Sequence, residues 1–376
     1  MPTSSTTIET LTSLLSHLVR FPTVPEDTAT NRAALDWVQE QLKGLPLRIE
    51  RLEHNGVPAL LATTKHPRNP KLWLLGHIDV VPAPASAFEP VIKDGRLMGR
   101  GAFDMKYGIA CFIALLQELG PQLSQYDLGL MLTADEEAGS ADGAEWLAAR
   151  GYRSQAIFLP ECGTSWHMEL GAKGIINWQL TARGQSAHGS RPWLGRNAID
   201  RLLRVVDLAR QNVPTEPCGD PAHLHCTMNL GQLTGGEAAN QVPELAQAAL
   251  DMRIVPGISL EEAAAWVANA AATDDSVEAK ILFSSPPFRN PDGTAVELFQ
   301  RLANEAYGQR VPSMIAHGTS DGRFFAPHGI PILTVPPLGG GQHGADEWVD
   351  LADLTRYYGF MKQFVQEFTH LPSTTR

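Results

Sequence analysis

The 376-residue chain lacks any apolar run of the roughly 18 residues a membrane helix needs, so no span is expected. Basic residues are scarce. Thirty Lys and Arg against 41 Asp and Glu leave a net charge of −11. That balance argues against nucleic acid or an anionic membrane surface as main partner, because both are bound through basic patches. Cysteine is sparse too: Cys111, Cys162, Cys218 and Cys226 contain no C-x-x-C pair, so free thiols are expected rather than disulfides or zinc ligands. The N-terminal MPTSSTTIETLTSLLSHLVRF has neither the basic start nor the continuous apolar stretch of a secretory signal, and a cytoplasmic location is the expectation. Leu11, Leu14, Leu15 and Leu18 instead mark one face of an amphipathic helix, with Thr6 and Glu9 spaced as a capping box. No internal repeat or low-complexity tract is present.

What remains is an ordinary globular composition, 43% hydrophobic and 19% charged, over a length that suggests two domains. The first part alternates. A helix is expected near 30–43, strands near 46–52 and 58–64 around His54-Asn55-Gly56, and a buried strand in LWLLGHIDV. A helix near 105–119, a strand at 128–134, a helix near 141–150 and a strand at 156–160 follow. Such alternation predicts an α/β domain with a mixed, largely parallel sheet flanked by helices. From about 175 the order becomes β-α-β-β-α-β: strand, helix 197–210, strands 224–233 and 245–254, helix 259–272, strand 277–284. This is an α+β two-layer unit. The α/β texture then returns, with helix 294–307, strands 312–316 and 331–335, and helix 351–368. The reading is a larger α/β domain in two pieces, 1–174 and 288–376, with a domain of 175–287 inserted. His223, His225 and Cys226 mimic a metal cluster, but strand alternation in HLHCTMNL would put the histidines and the cysteine on opposite faces.

The polar residues fall where α/β sheets bind ligands, beyond the carboxyl ends of strands. His77 and Asp79 follow LWLL. Two apart on an extended chain, they would share a face, with Asp79 orienting the His77 ring. Asp104 stands just before the helix expected from Met105. LMLTADEEAGS ends a buried strand in Asp135, Glu136 and Glu137, and FLPECG delivers Glu161. On spacing alone the three acids could be a solvated run at a helix start. Packed into one crevice, however, these carboxylates could not all stay ionised without compensation. Two divalent cations remove the conflict. Mixed imidazole and carboxylate ligands suit Zn²⁺, with Co²⁺ or Mn²⁺ compatible. His343, in GGGQHGADE, is a loop histidine able to join them.

GHIDVVP, GRGAFDMKYGIA, LTADEEAGS, GQSAHGSRPWLGRNAI and GQHGADEWV together resemble the signature segments of the M20 metallopeptidase family, in order and over nearly the whole chain. The resemblance implies a co-catalytic zinc enzyme that cleaves amide bonds. His77 and Glu161 would bind one zinc, Glu137 and His343 the other, and Asp104 would bridge them, followed by a cis peptide to Met105. Glu136 would act as general base on a metal-bridging water, with Asp79 beside the centre. The inserted domain would be a lid that also forms a homodimer. His188 would reach across that dimer to stabilise the oxyanion, and Asn240 and Arg253 would hold the substrate's carboxylate end. A salt bridge of Arg253 with Asp251 at a sheet edge is the competing view.

HGTSDGRF looks most like the succinyl-diaminopimelate desuccinylase and acetylornithine deacetylase branch, with Thr319 and Lys173 lining the substrate pocket. The substrate would be a small N-acyl amino acid or short peptide. Lys173 stands where that branch favours arginine, and Gln241 follows Asn240 where a second asparagine is common. An acetylornithine deacetylase-like enzyme or a carboxypeptidase or dipeptidase of the family therefore stays open. Two readings of other classes are a serine hydrolase using Ser320 in G-x-S-x-G and a binding relative without turnover. The first has its histidine before its acid, the wrong order for that fold. Against the second stands a complete set of ligands and base.

Overall fold

A computed structural model describes residues 6–214 and 224–372 of the chain. Cys218, His223 and the Thr6 side chain lie outside the described residues. The chain forms two compact units. One comprises Met1–Leu170, Asn290–Met314 and Ser320–Arg376; the other comprises Gly171–Arg289 and Ile315–Thr319.

The first unit is built on a six-stranded sheet in the order Arg48–His54, Val57–Thr63, Leu128–Thr133, Leu72–His77, Ala156–Phe158, Ile332–Leu333. The first two strands form a hairpin, and the second runs antiparallel to Leu128–Thr133. Asn55 and Gly56 close the hairpin with φ of 45° and 87°, as a two-residue turn requires. The remaining strands run parallel to one another. Leu72–His77 and Leu128–Thr133 are buried throughout, which is why they read as apolar runs rather than alternating ones. Helices Thr6–Val19, Tyr107–Leu119, Thr294–Tyr307 and Leu351–His370 share the sheet's core, and Phe158, Phe299 and Phe360 pack with ring centroids 5.1–6.0 Å apart. The fold is mixed α/β, as the alternation predicts.

Two departures bear on the site. The helix expected from Met105 begins at Tyr107. Before it, Ala102–Lys106 forms a π-helical turn in which Asp104 and Met105 leave helical geometry; the Asp104–Met105 peptide is cis, as the family resemblance implies. Several short strands escape the sequence reading. Val91–Lys93, Arg96–Met98, Gly339–Gly340 and Trp348–Asp350 form a small antiparallel sheet. Pieces of two or three residues carry no readable period, and Gly339–Gly340 has no side chains to alternate. The pairing of Gly339–Gly340 with Trp348–Asp350 makes residues 341–347 a hairpin loop, which carries His343.

In the second unit, strands Gly174–Arg183, Thr227–Gly235, Leu245–Ile254 and Val277–Ser285 and helices Ala198–Asn212 and Leu260–Ala271 follow in β-α-β-β-α-β order. The sheet order is Thr227–Gly235, Leu245–Ile254, Gly174–Arg183, Val277–Ser285, and every pairing is antiparallel. Asn197 and Ser259 cap the two helices through their side chains. Leu202, Val205, Val206, Ala263 and Val267 lie in one core with Trp178, Leu180, Leu250 and Met252 of the sheet. The strand expected at 224–233 starts at Thr227, so His225 and the buried Cys226 precede it and strand alternation does not govern them.

Candidate metal centre

Three parallel strands of the first unit end at the same edge of the sheet, and each delivers one part of the cluster. Leu72–His77 ends in the histidine itself, held in register opposite Thr133. After Thr133 the chain turns at Asp135 into a one-turn 3₁₀ segment, Glu136–Ala138. This turn lets two neighbouring acids serve one site, which extended backbone would forbid. Asp135 secures it. Its Oδ2 accepts from the amides of Asp142 and Gly143 at 2.9 and 3.0 Å, and burial pushes its carboxyl up to about 7. A Cβ on Gly143 would lie 2.1 Å from Asp135 Oδ1, so the approach requires glycine. Glu161 follows Ala156–Phe158, and the Tyr107 hydroxyl donates to its carbonyl at 3.2 Å.

Asp104 stands between two histidines. Its Oδ1 lies 3.3 Å from His77 Nε2, which is also 3.7 Å from Glu161 Oε1. Its Oδ2 lies 3.1 Å from His343 Nε2, which is 3.2 Å from Glu137 Oε1. His77, Asp104 and Glu161 form one group whose ligand atoms lie within 4.8 Å of one another; Asp104, Glu137 and His343 form a second. The residues fit metal ions. Glu161 Oε2 is a buried polar atom without a hydrogen-bond partner, and His77 Nε2, though close to two carboxylates, makes no well-aligned hydrogen bond to either, a costly state that a cation would relieve. His343 holds a left-handed φ of 60° within its glycine-rich loop.

The electrostatics follow from packing acids together. Burial, reinforced by the charge of Asp104, raises Glu161 to about 7. Burial also opposes a charged His77, but Glu161, Asp104 and Asp79 outweigh it and hold its pKa well above 6.5. Hydrogen bonds to Asp104 and Glu137 raise His343 to about 10. Burial works against a charged Asp104, but the hydrogen bond from His343 and the close, positively charged His77 overcome it and hold Asp104 below the usual carboxylate range. Protons on the imidazoles thus occupy the electrostatic place of cations.

Asp79 orients His77 differently from the expectation. His77 Nδ1 lies 3.0 Å from the Asp79 main-chain carbonyl, and the Asp79 carboxylate sits farther off at 3.5 Å. That carboxylate instead accepts from the amide of Glu137 at 2.9 Å, so one residue ties both groups. Glu136 lies beside them, and burial, then the charges of Glu161, Asp321 and Asp104, push its carboxyl well above the usual range. Arg323 Nη1 is 3.8 Å from Glu136 Oε1, and Nη2 donates to the Gly139 carbonyl at 2.9 Å. Thr133 donates to the buried Asp321 at 3.0 Å. Cys162 Sγ is 3.2 Å from Asp104 Oδ2. Arg323, Asp321 and Cys162 went unassigned in the sequence, though HGTSDGRF and FLPECG contain them. Only their position beside the site's carboxylates marks them.

Ser320 does not form a nucleophile elbow. It is followed by the 3₁₀ turn Asp321–Phe324, not the helix such an elbow needs. In the second unit, His188 and Asn240 are exposed, and His188 Nδ1 pairs with Ser190 Oγ at 2.8 Å. His188 and Gln241 form an isolated antiparallel bridge, which puts the two loops side by side. Arg253 makes a bidentate pair with Asp251 at 2.8 and 3.2 Å. The pair lies on Leu245–Ile254, an interior strand rather than the expected sheet edge. Lys173 is buried, its amide donating to the Ala316 carbonyl at 2.9 Å, and Thr319 is half-buried.

Among the described residues no helix is long and apolar enough to cross a membrane. The model of peptidase family M20/M25/M40 matches residues 73–367. A succinyl-diaminopimelate desuccinylase of Cereibacter sphaeroides is 32% identical over 371 aligned residues, covering 91% of this chain and 94% of its own. One from Alkalilimnicola ehrlichii is 29% identical, covering 92% and 95%. Among solved structures, aminopeptidase PepT from Bacillus cereus superposes with a TM-score of 0.77 at 21% identity, covering 96% of this chain and 98% of that one. The M20 family metallo-carboxypeptidase Sso-CP2 from Sulfolobus solfataricus gives 0.76 at 16%, covering 96% and 99%. The matched segment runs from the strand that delivers His77 to the final helix, and so takes in both ligand groups; the chain belongs to peptidase family M20/M25/M40 and is a hydrolase of amide or peptide bonds.

Proposed function

We propose that the chain is a two-zinc amidohydrolase of small N-acyl amino acids, most similar in activity to succinyl-diaminopimelate desuccinylase. The observation that carries this is the sharing of Asp104, one carboxylate oxygen facing His77 and the other His343. His77 and Glu161 would hold one cation, Glu137 and His343 the other, and Asp104 both. Bound there, the cations would lower the pKa of water and polarise the scissile carbonyl. Glu136, a ligand in neither group, would take the proton of the attacking water and hand it to the leaving amine. Burial, which raises its pKa, makes its carboxyl a group able to hold that proton between the two transfers. Asp79 would hold His77 and Glu137 in position.

The substrate assignment rests on the desuccinylase relatives and on HGTSDGRF. In the active enzyme, Thr319, Lys173, Asn240 and Arg253 would contact the substrate. Arg253 would first have to release Asp251, while Lys173 would offer a point charge where an arginine fork grips a carboxylate more specifically. That single feature favours, as second reading, an acetylornithine deacetylase-like or dipeptidase activity. The unit holding Gly171–Arg289 would act as lid and dimer interface, with His188 serving the partner's site as oxyanion donor. Its edge strand Val277–Ser285 exposes Ile281, Leu282 and Phe283, a surface a second copy would cover. The test is turnover of N-succinyl, N-acetyl and dipeptide substrates by zinc-loaded protein. N-succinyl preference supports the reading; absence of turnover on all three refutes it.

A further inference from the structure

Arg100 and Glu347 are a buried ion pair 247 residues apart in sequence, and neither belongs to a ligand group. They are 5% and 2% exposed. The Glu347 carboxylate is saturated by this chain's own donors. Oε2 accepts from Arg100 Nη1 at 2.7 Å and the Gly101 amide at 2.8 Å. Oε1 accepts from the amides of Phe103 and Asp104 at 2.8 and 2.9 Å. These amides belong to the irregular turn that presents the Asp104 carboxylate, where helical hydrogen bonding is unavailable to them. The second arm of Arg100 donates to the His343 carbonyl at 3.1 Å. Glu347 ends the loop that carries His343, and a Cβ on Gly341 would meet the Asp346 carbonyl at 2.6 Å, so the loop folds tightly on itself.

We infer that Glu347 and Arg100 are positioning residues that lock the Asp104 turn to the His343 loop, and so fix the geometry of the shared carboxylate and the second imidazole. The inference rests on the two-cation reading above. One carboxylate fastens the backbone that places Asp104, which both cations would share. One guanidinium arm fastens only the loop of His343, which one cation would use. The two variants therefore differ in reach. Glu347→Gln puts an NH₂ group against N–H donors and loosens the turn under both cations. Arg100→Lys keeps a positive charge for Glu347 but loses the fork that also reaches the His343 carbonyl.

The experiment is zinc titration of metal-free wild-type and variant proteins against a chelating dye, with melting of the metal-free forms as fold control. Wild type is expected to take up two equivalents. Glu347→Gln should weaken both by about 10–100-fold, the scale for outer-shell partners of metal ligands. Arg100→Lys should weaken one equivalent by that factor and leave the other within about twofold of wild type on the same scale. A purely structural pair would not produce that selectivity. Should Glu347→Gln fail to fold, Arg100→Lys decides alone. Wild-type affinity at both equivalents, or equal loss at both, in folded Arg100→Lys overturns the inference. Wild-type protein that takes up no zinc overturns the two-cation reading itself, and this inference with it.

Discussion

At the scale of the residue, the division between Glu136 and Glu137 is the point on which the proposed chemistry turns. They are chain neighbours, yet only Glu137 meets His343 and Asp104, while Glu136 faces Arg323. Glu136→Ala should therefore keep both zinc equivalents and lose about 10²–10⁴-fold in kcat, the scale of a general base. Zinc content with steady-state kinetics checks this, and near-normal turnover would refute the role. Asp79→Asn tests a different link. The substitution leaves the main-chain carbonyl that faces His77 but replaces the carboxylate that accepts from Glu137. Zinc affinity should fall by about 10–100-fold, measured by chelator competition; unchanged affinity would show that the Glu137 turn needs no such anchor. The sequence allowed one face for His77 and Asp79, but not this detail. The strand stops at His77, so alternation no longer governs where Asp79 points.

At the scale of the element, the ends of strands matter more than their middles. Buried strands were legible as apolar runs, and helix 294–307 was read to the residue because its apolar spacing is regular. On an extended chain Glu136 and Glu137 would face opposite ways, so one crevice for both requires a turn after Thr133. What fixes it is Asp135, the third acid of the run, whose hydrogen bonds to the amides of Asp142 and Gly143 exist only once the loop has folded. The π-turn at Asp104 and the short sheet that forms the His343 hairpin were not legible, because neither has a side-chain period. Gly143→Ala tests the Asp135 turn. The Asp135 carboxylate is pinned by two amides and Thr133 Cβ lies 3.1 Å from the added methyl, so the clash has no easy relief. A stability loss of about 1–3 kcal/mol, the usual cost of overpacking, is expected in thermal or denaturant unfolding. Stability equal to wild type would mean that the loop yields freely.

At the scale of the whole molecule, the cluster couples metal, protons and fold. Without metal, His343 is raised to about 10 and Glu161 to about 7, with His77 also raised, so the two imidazoles carry protons at neutral pH and Glu161 carries one part of the time. A cation must displace them. Zinc uptake at pH 7 should release protons, and affinity should rise with pH through that range; titration calorimetry in buffers of different ionisation heat reads the release directly. No net release would contradict the charge assignment. In the metal-free fold the raised His343 contributes stability that is complete below about 6.5 and is lost as pH rises through about 10. The family was legible because motifs survive as short strings, and the residues of the two clustered groups lie within such strings. The roles proposed for the second unit rest on resemblance alone, since His188 and Asn240 lie exposed in loops, the first meant for another copy's site and the second for the substrate. Mixing His188→Ala with Glu136→Ala subunits should restore part of the activity if His188 acts across a dimer, and verified heterodimers without recovery would argue against it.

The central claim is that Asp104 is shared by two cations, and anomalous diffraction from zinc-loaded crystals tests it most directly. The account predicts two peaks about 3.5–4 Å apart, the spacing of paired catalytic metals, one touching His77 and Glu161, the other Glu137 and His343, with an Asp104 oxygen on each. A replete crystal with no peak at Asp104, or with zinc bound only elsewhere, would contradict it.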